Sequence, residues 1–125
     1  MSVSSARYPG RAPIDAYGNG GFRFAAMSHR GSILCLPSGI YAWGPAAFAE
    51  IGVDSFSAVF AEKAALDLVI LGTGRRHELA GADVRRAFQE AAVGLETMDT
   101  GAACRTYNVL LAEGRPVGAA LLAVD

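Results

Sequence analysis

Cysteine and histidine are scarce in this chain of 125 residues, and each scarcity removes a class of chemistry. The two cysteines, Cys35 and Cys104, stand far apart and offer no disulfide framework, so we expect reduced, buried thiols. The two histidines, His29 and His77, do not stand at metal-ligand spacing from cysteines or carboxylates. The sequence therefore predicts no disulfide staple, no metal site and no cofactor.

Blocks of like charge and long apolar runs are also missing. Twelve acidic residues offset eleven basic ones, which gives a formal net charge of −1 and a pI near 6.1. Nucleic-acid-binding proteins usually carry a basic stripe, so we expect no nucleic-acid partner. The apolar runs at 66–71 and 119–124 fall well short of the ~20 residues that a bilayer span needs. The first ten residues lack the apolar core of an export signal, so we expect a cytoplasmic protein, with a membrane-peripheral location as the alternative.

Sequence signatures of enzymes are absent as well. No serine lies in a Gly-x-Ser-x-Gly turn, and no Gly-x-x-x-x-Gly-Lys loop is present to hold a nucleotide phosphate. No set of catalytic residues can be assigned from the chain. The sequence therefore favours a binding protein over an enzyme.

The second half of the chain alternates strands with helices. The apolar run formed by Leu66 and residues 68–71, with only Asp67 between them, is typical of a central strand that is buried on both faces. Helical spacing of apolar residues follows it around Val84 and Phe88 and again around Tyr107, with short apolar segments near 95–98 and 117–124. This alternation predicts crossover connections and a largely parallel sheet.

The first half carries a different pattern. Residues 1–20 are rich in glycine and proline, which predicts a partly extended and partly mobile N-terminal segment. Short strands at 22–24 and 33–36, around a turn at 29–32, predict an antiparallel hairpin. The sequence thus predicts a single α/β domain at 21–125, with three layers, a mixed central sheet and an N-terminal β-hairpin part.

Two loops that follow predicted parallel strands form the best candidate ligand crevice. A glycine-rich turn follows the buried strand, and the Asp-Thr pair follows the next strand, so both loops are expected at one edge of the sheet. The candidate residues are Gly72, Thr73, Gly74, Arg75, Asp99, Thr100, Cys104 and Asn108.

Each of these features also has a purely structural interpretation. The glycine turn lacks the third glycine of a dinucleotide fingerprint, because His77 stands there, and a tight turn explains it as well as an anion site does. Asp99 or Thr100 fits a helix N-cap. Cys104, near a helix N-terminus, is either a reactive thiol or an inert core residue. Asn108 either ties its helix to a loop or faces a ligand.

Aromatic residues supply a second candidate surface. Tyr41 and Trp43 lie just before a glycine-proline turn, and Tyr17 lies in the N-terminal segment. They belong either to the core or to an exposed patch, and an exposed aromatic patch marks a protein interface. We predict Tyr17, Tyr41 and Trp43 as the partner-binding patch.

The chain resembles a family of domains of unknown function numbered 498/598. The matching positions are 14–22 (IDAYGNGGF), 71–74 (LGTG), 98–100 (MDT), 103, 105–108 (RTYN), 110 and 114–115. The similarity runs over nearly the whole chain, from about Ile14 to Val124. The family includes bacterial and archaeal stand-alone domains and the mitochondrial complex I assembly factor 3, and it supplies no catalytic residues to carry over.

The resemblance implies a three-layer α/β domain and a role in assembly or protein binding, with respiratory complex subunits as the partners. The leading hypothesis is therefore a non-enzymatic binding protein that aids assembly of respiratory complex I. The alternative is a small-molecule or anion-binding protein, or an enzyme, that uses the crevice of Gly72, Asp99 and Thr100. A redox role for Cys104 is a third hypothesis.

Overall fold

The computed structural model describes residues 6–125, which form eight strands and three α-helices. The first five residues of the predicted N-terminal segment lie outside this range. The strands are β1 Ile14–Gly18, β2 Gly21–Phe24, β3 Met27–Arg30, β4 Ile33–Leu36, β5 Gly39–Ala42, β6 Leu68–Gly72, β7 Gly94–Met98 and β8 Val117–Leu121. The helices are α1 Ser57–Ala61, α2 Ala82–Ala91 and α3 Thr100–Ala112. None of these helices is long and apolar enough to cross a bilayer.

A five-stranded mixed sheet with the order β5-β4-β8-β6-β7 forms the middle layer. Strands β6, β7 and β8 run parallel, whereas β4 runs antiparallel to β8. One face is covered by α3 and by a separate antiparallel sheet of β1, β2 and β3, and the other face by α1 and α2. This arrangement confirms the predicted three-layer α/β fold with a mixed sheet.

Strand β8 contributes side chains to the cores on both faces of the sheet. Ala119 and Leu121 belong to the core under α3, while Ala120 and Leu122 belong to the core under α2. A Cβ at Gly118 would lie 3.0 Å from the carbonyl oxygen of Cys35 on β4, so only glycine fits there without displacing a neighbour. The apolar run in β6 alternates in the same way, which confirms a strand buried on both faces.

The predicted hairpin between 22–24 and 33–36 is wrong. Strand β2 pairs with β3, and β4 pairs with β5 and β8. The predicted turn at 29–32 overlaps the end of β3, which is a mostly exposed strand without an apolar alternation. The connection from β2 to β3 runs through Ala25 and Ala26, whose φ angles of 49° and 62° suit a type I′ turn. Two alanines give no sequence signal for such a turn.

A second hairpin begins in the segment predicted to be partly extended and partly mobile. Strands β1 and β2 pair through the two-residue turn Asn19-Gly20, with φ angles of 52° and 80°. Asn-Gly is a strong hairpin signal because both residues tolerate the left-handed region. The sequence therefore contained this hairpin, although the glycine and proline content of the segment obscured it.

Candidate functional site

The loops after β6 and β7 lie side by side. The two strands pair in parallel, with Leu71 beside Thr97 and Gly72 beside Met98. The Thr73 N–H donates to the Met98 carbonyl at 2.9 Å, and the Thr100 N–H donates to the Gly74 carbonyl at 2.8 Å. The predicted common edge for the two loops is thus confirmed.

Thr100 joins these two loops to the end of β8. Its side chain is fully buried, and its Oγ1 accepts from the Gly74 N–H at 3.0 Å and donates to the Leu122 carbonyl at 2.8 Å. The Leu122 N–H in turn donates to the Gly72 carbonyl at 3.0 Å. The backbone N–H that a phosphate would need at Gly74 therefore already has a protein acceptor.

The glycine-rich turn is closed from within. The Thr73 hydroxyl oxygen lies 2.6 Å from the Arg76 carbonyl oxygen and accepts from the Glu78 N–H at 3.1 Å. A Cβ at Gly72 would lie 3.1 Å from the Thr100 Cα, and Gly74 has a φ of 105°. Both positions therefore require glycine for the shape of the turn. Arg75 is exposed beside them. This geometry matches the tight-turn interpretation.

Asp99 is the N-cap of α3. Its Oδ1 accepts from the Ala102 N–H at 2.9 Å, so the capping role predicted for Asp99 or Thr100 belongs to Asp99. Thr100 instead begins the helix and binds across to β8. Gly101 follows it, and a Cβ there would collide with the hydroxyl of Tyr17, which lies over the start of the helix.

Asn108 ties α3 to β1. Its Oδ1 accepts from the Ile14 N–H at 2.8 Å, and its Nδ2 donates to the Ile14 carbonyl at 2.8 Å. The amide thereby satisfies both backbone groups of a residue 94 positions away, as a neighbouring strand would. Of the two alternatives that the sequence offered, the structure shows the tie within the protein, although the partner is strand β1 and not a loop.

Replacement of Asn108 by alanine is expected to lower the free energy of unfolding by about 1–3 kcal/mol, because two half-buried backbone groups of Ile14 lose their partners. Urea titration followed by circular dichroism measures the change. Arg105→Ala, on the exposed side of the same helix, is the control and is expected to change stability by less than about 0.5 kcal/mol. Equal effects of the two variants would contradict the assignment.

Cys104 is buried against the sheet, and burial raises the pKa of its thiol to about 12. The nearby Arg105 lowers the pKa by a smaller amount, and Asp99 raises it further. Cys35 belongs to the same core cluster, and burial raises its pKa strongly too. Both thiols are unpaired and lack the electropositive, accessible setting of a reactive cysteine.

Alkylation of Cys104 by iodoacetamide at neutral pH is therefore expected to be slow in the native protein. Because burial raises the pKa of this thiol to about 12, very little thiolate is present at neutral pH, and burial restricts access as well. Intact-mass spectrometry of Cys35→Ala, with and without urea, isolates the rate at Cys104. A native rate within about tenfold of the unfolded rate would support the redox hypothesis instead.

Surface cavities occur away from the crevice. One of about 440 Å³ is lined by Trp43, Pro45 and Asp54 among others, and one of about 390 Å³ is lined by Arg23, His29 and neighbouring residues of the small sheet. A third, of about 300 Å³, lies between β7 and α2. In the part of the chain that the structure describes, no three histidine, cysteine or acidic side chains gather as a metal site requires.

The predicted aromatic patch is divided. Trp43 is 7% exposed in the core under α2, where its Nε1 donates to the Ser55 carbonyl at 2.8 Å. Tyr41 packs against the same core, and its hydroxyl lies 2.5 Å from Ser38 Oγ. Tyr17 is 44% exposed on the other side of the sheet, beside Asp99 and Gly101. Tyr17 thus joins the predicted crevice rather than the other two aromatics.

Known proteins are similar to this chain in sequence and in fold. The profile of a family described as "Protein of unknown function (DUF498/DUF598)" matches residues 14–122. The mouse protein named NADH dehydrogenase (ubiquinone) 1 alpha subcomplex assembly factor 3 is 30% identical over 122 residues, which are 98% of this chain and 66% of that protein. An uncharacterized protein of Rhodobacter capsulatus is 37% identical over 98% of this chain and 93% of its own length.

A solved structure agrees with these sequence matches. A crystal structure from Bartonella henselae, described as that of an outer membrane protein, superposes with a TM-score of 0.91 at 50% identity, over 95% of this chain and 100% of that one. The chain spans 59 to 66% of the length of the mammalian assembly factors that it matches. With the family pattern present over residues 14–122, the chain belongs to the DUF498/DUF598 family.

Proposed function

We propose that this protein is a non-enzymatic binding protein that assists the assembly of respiratory complex I. The observation that carries the proposal is the similarity to NADH dehydrogenase assembly factor 3 over 98% of the chain. We further propose that it works in the cytoplasm, where it meets complex subunits before or at the membrane surface. Its partners are then proteins.

The geometry of the crevice supports a binding role over a catalytic one. The hydroxyl groups of Thr73 and Thr100 and the N–H of Gly74 all bond within the protein. Asp99 caps a helix, and the Cys104 thiol is buried with a raised pKa. Each of these groups therefore has a role within the protein's own structure, which favours a binding role over the small-molecule alternative.

Tyr17 is the member of the predicted aromatic patch that offers a contact surface. Its ring is 44% exposed, and its hydroxyl lies against Gly101, which keeps it next to the start of α3. Tyrosine is enriched at protein interfaces because a rigid apolar ring and a polar hydroxyl act together. We propose that this ring contacts the partner.

The test is deletion of the gene in its native cell, with the amount of complex I measured on native gels and NADH:quinone oxidoreductase activity measured in membranes. We expect both to fall and to be restored by the wild-type gene. Tyr17→Ala is expected to restore less than Val109→Ala, a matched loss of an exposed apolar side chain on α3. Unchanged complex I after deletion would reject the proposed function.

A further inference from the structure

The outer edge of β7 is open. Strand β7 ends the five-stranded sheet, and no strand formed by residues 6–125 pairs with its outer side. The opposite end of the sheet is covered, because the Ile40 N–H of β5 donates to the Tyr8 carbonyl at 2.9 Å and the Arg7 N–H donates to the Ile40 carbonyl at 2.7 Å. An open edge presents unused backbone donors and acceptors that a further strand can bind.

The register of β7 identifies which backbone groups point outward. The Gly94 N–H donates to Asp67 at 2.8 Å, and the Met98 carbonyl accepts from Thr73 at 2.9 Å, so both residues face β6. Because backbone groups alternate along a strand, Leu95 and Thr97 direct their N–H and C=O groups to the open side. These two residues can form the hydrogen bonds of an added strand.

An apolar groove runs beside this edge. The cavity of about 300 Å³ between β7 and α2 is lined by Leu79, Ala80, Arg85, Phe88, Gln89, Val93, Leu95 and Thr97. Leu79 is 71% exposed, which is unusual for leucine in a domain with two filled cores. Arg85 donates to the Ala80 carbonyl, so this guanidinium is held at the groove wall. The groove can receive apolar side chains from one face of an added strand.

Glu96 determines which strand fits. It lies between Leu95 and Thr97, so its exposed side chain points to the sheet face opposite the groove. Among residues 6–125, no cation forms an ion pair with its carboxylate. Two copies of β7 paired antiparallel about Glu96 would place these like charges directly opposite each other, which is unfavourable. A basic residue opposite Glu96 is favourable for the same reason.

We propose that the outer edge of β7 and the adjoining groove bind an extended segment of a partner protein in which a basic residue lies between two apolar residues. The basic side chain faces Glu96, and its apolar neighbours enter the groove near Leu79 and Leu95. The inference rests on the proposed function, because it specifies the kind of partner segment that the protein binds in its assembly role. Binding of this kind adds one strand to the sheet.

The experiment titrates the intact protein with the blocked peptide Thr-Val-Lys-Val-Thr and follows backbone amides by NMR. We expect the largest shifts at Leu95 and Thr97, and weaker binding of the peptide in which glutamate replaces lysine. Glu96→Lys is expected to lower the affinity for the lysine peptide by about three- to tenfold and to raise the affinity for the glutamate peptide by a similar factor. Leu79→Ser is expected to lower the affinity for both peptides. Val109→Ser, which changes another exposed apolar side chain, is expected to leave both affinities unchanged.

Three results would overturn the inference: no saturable binding of either peptide, shifts confined to another surface, or a wild-type dimer that pairs through β7. The same variants separate this inference from the proposed function. If Glu96→Lys and Leu79→Ser restore complex I in the deletion strain as well as wild type does, the β7 edge is not the binding surface, while the assembly role stands. If deletion leaves complex I unchanged, the assembly role fails, and the titration alone decides the β7 site.

Discussion

Replacement of Thr100 by valine is expected to lower the free energy of unfolding by about 2–5 kcal/mol. Valine keeps the shape of the fully buried side chain but leaves the half-buried Gly74 N–H and the buried Leu122 carbonyl without the hydroxyl as partner. Each buried group that loses its only partner costs about 1–3 kcal/mol. Urea titration monitored by circular dichroism measures the difference.

The matched control is Thr100→Ser, which keeps the hydroxyl and removes one methyl group. It is expected to lose about 1 kcal/mol, the transfer free energy of that group with a small cavity term. If valine proves as stable as serine or more so, the hydroxyl is not what holds the loops after β6 and β7 to β8. The tight-turn interpretation of Gly72 and Gly74 would then rest on the Thr73 bonds and the geometry of the glycines alone.

Replacement of Phe56 by alanine is expected to be at least as damaging, with a loss of about 3–5 kcal/mol. Phe56 is fully buried and packs against three other rings, with centroid distances of 5.6 Å to Trp43, 6.4 Å to Phe60 and 5.0 Å to Phe88. Removal of its ring leaves a cavity among side chains that α2 holds in place. Thermal unfolding followed by circular dichroism should show a much lower midpoint.

Phe56→Leu separates loss of volume from loss of aromatic contacts, and it is expected to cost about 1–2 kcal/mol. An alanine variant within about 1 kcal/mol of wild type would mean that the core under α2 collapses around the missing ring. In that case the aromatic cluster does not organise this layer.

The parts of the fold that the sequence predicted are those where local pattern and burial agree. The apolar run of β6 is typical of a strand buried on both faces, and the periodic helix α2 that follows predicts a crossover to β7. The shared edge of the two loops follows from that connection. Strand β3 could not be predicted because an exposed strand has no apolar alternation, and the Ala25-Ala26 turn has no glycine or asparagine.

The roles of the candidate site residues depended on partners that are remote in the sequence. Asn108 binds Ile14 across 94 positions, and Thr100 binds Leu122 across 22. Only the chain's path in space brings these atoms together, so the sequence could suggest that Asn108 ties its helix to another segment but not that the segment is strand β1. The buried environment of Trp43 was equally hidden, because an aromatic residue beside a glycine-proline turn suits a core or a surface.

Strand β8 has a consequence for how the molecule comes apart. Its successive side chains belong alternately to the cores above and below the sheet, and Gly118 admits no larger residue without displacing β4. Loss of either helical layer would therefore expose one face of β8, while the other layer still packs against the opposite face of the same strand. The two layers are therefore expected to unfold cooperatively, and heating should give a single calorimetric transition rather than two separate ones.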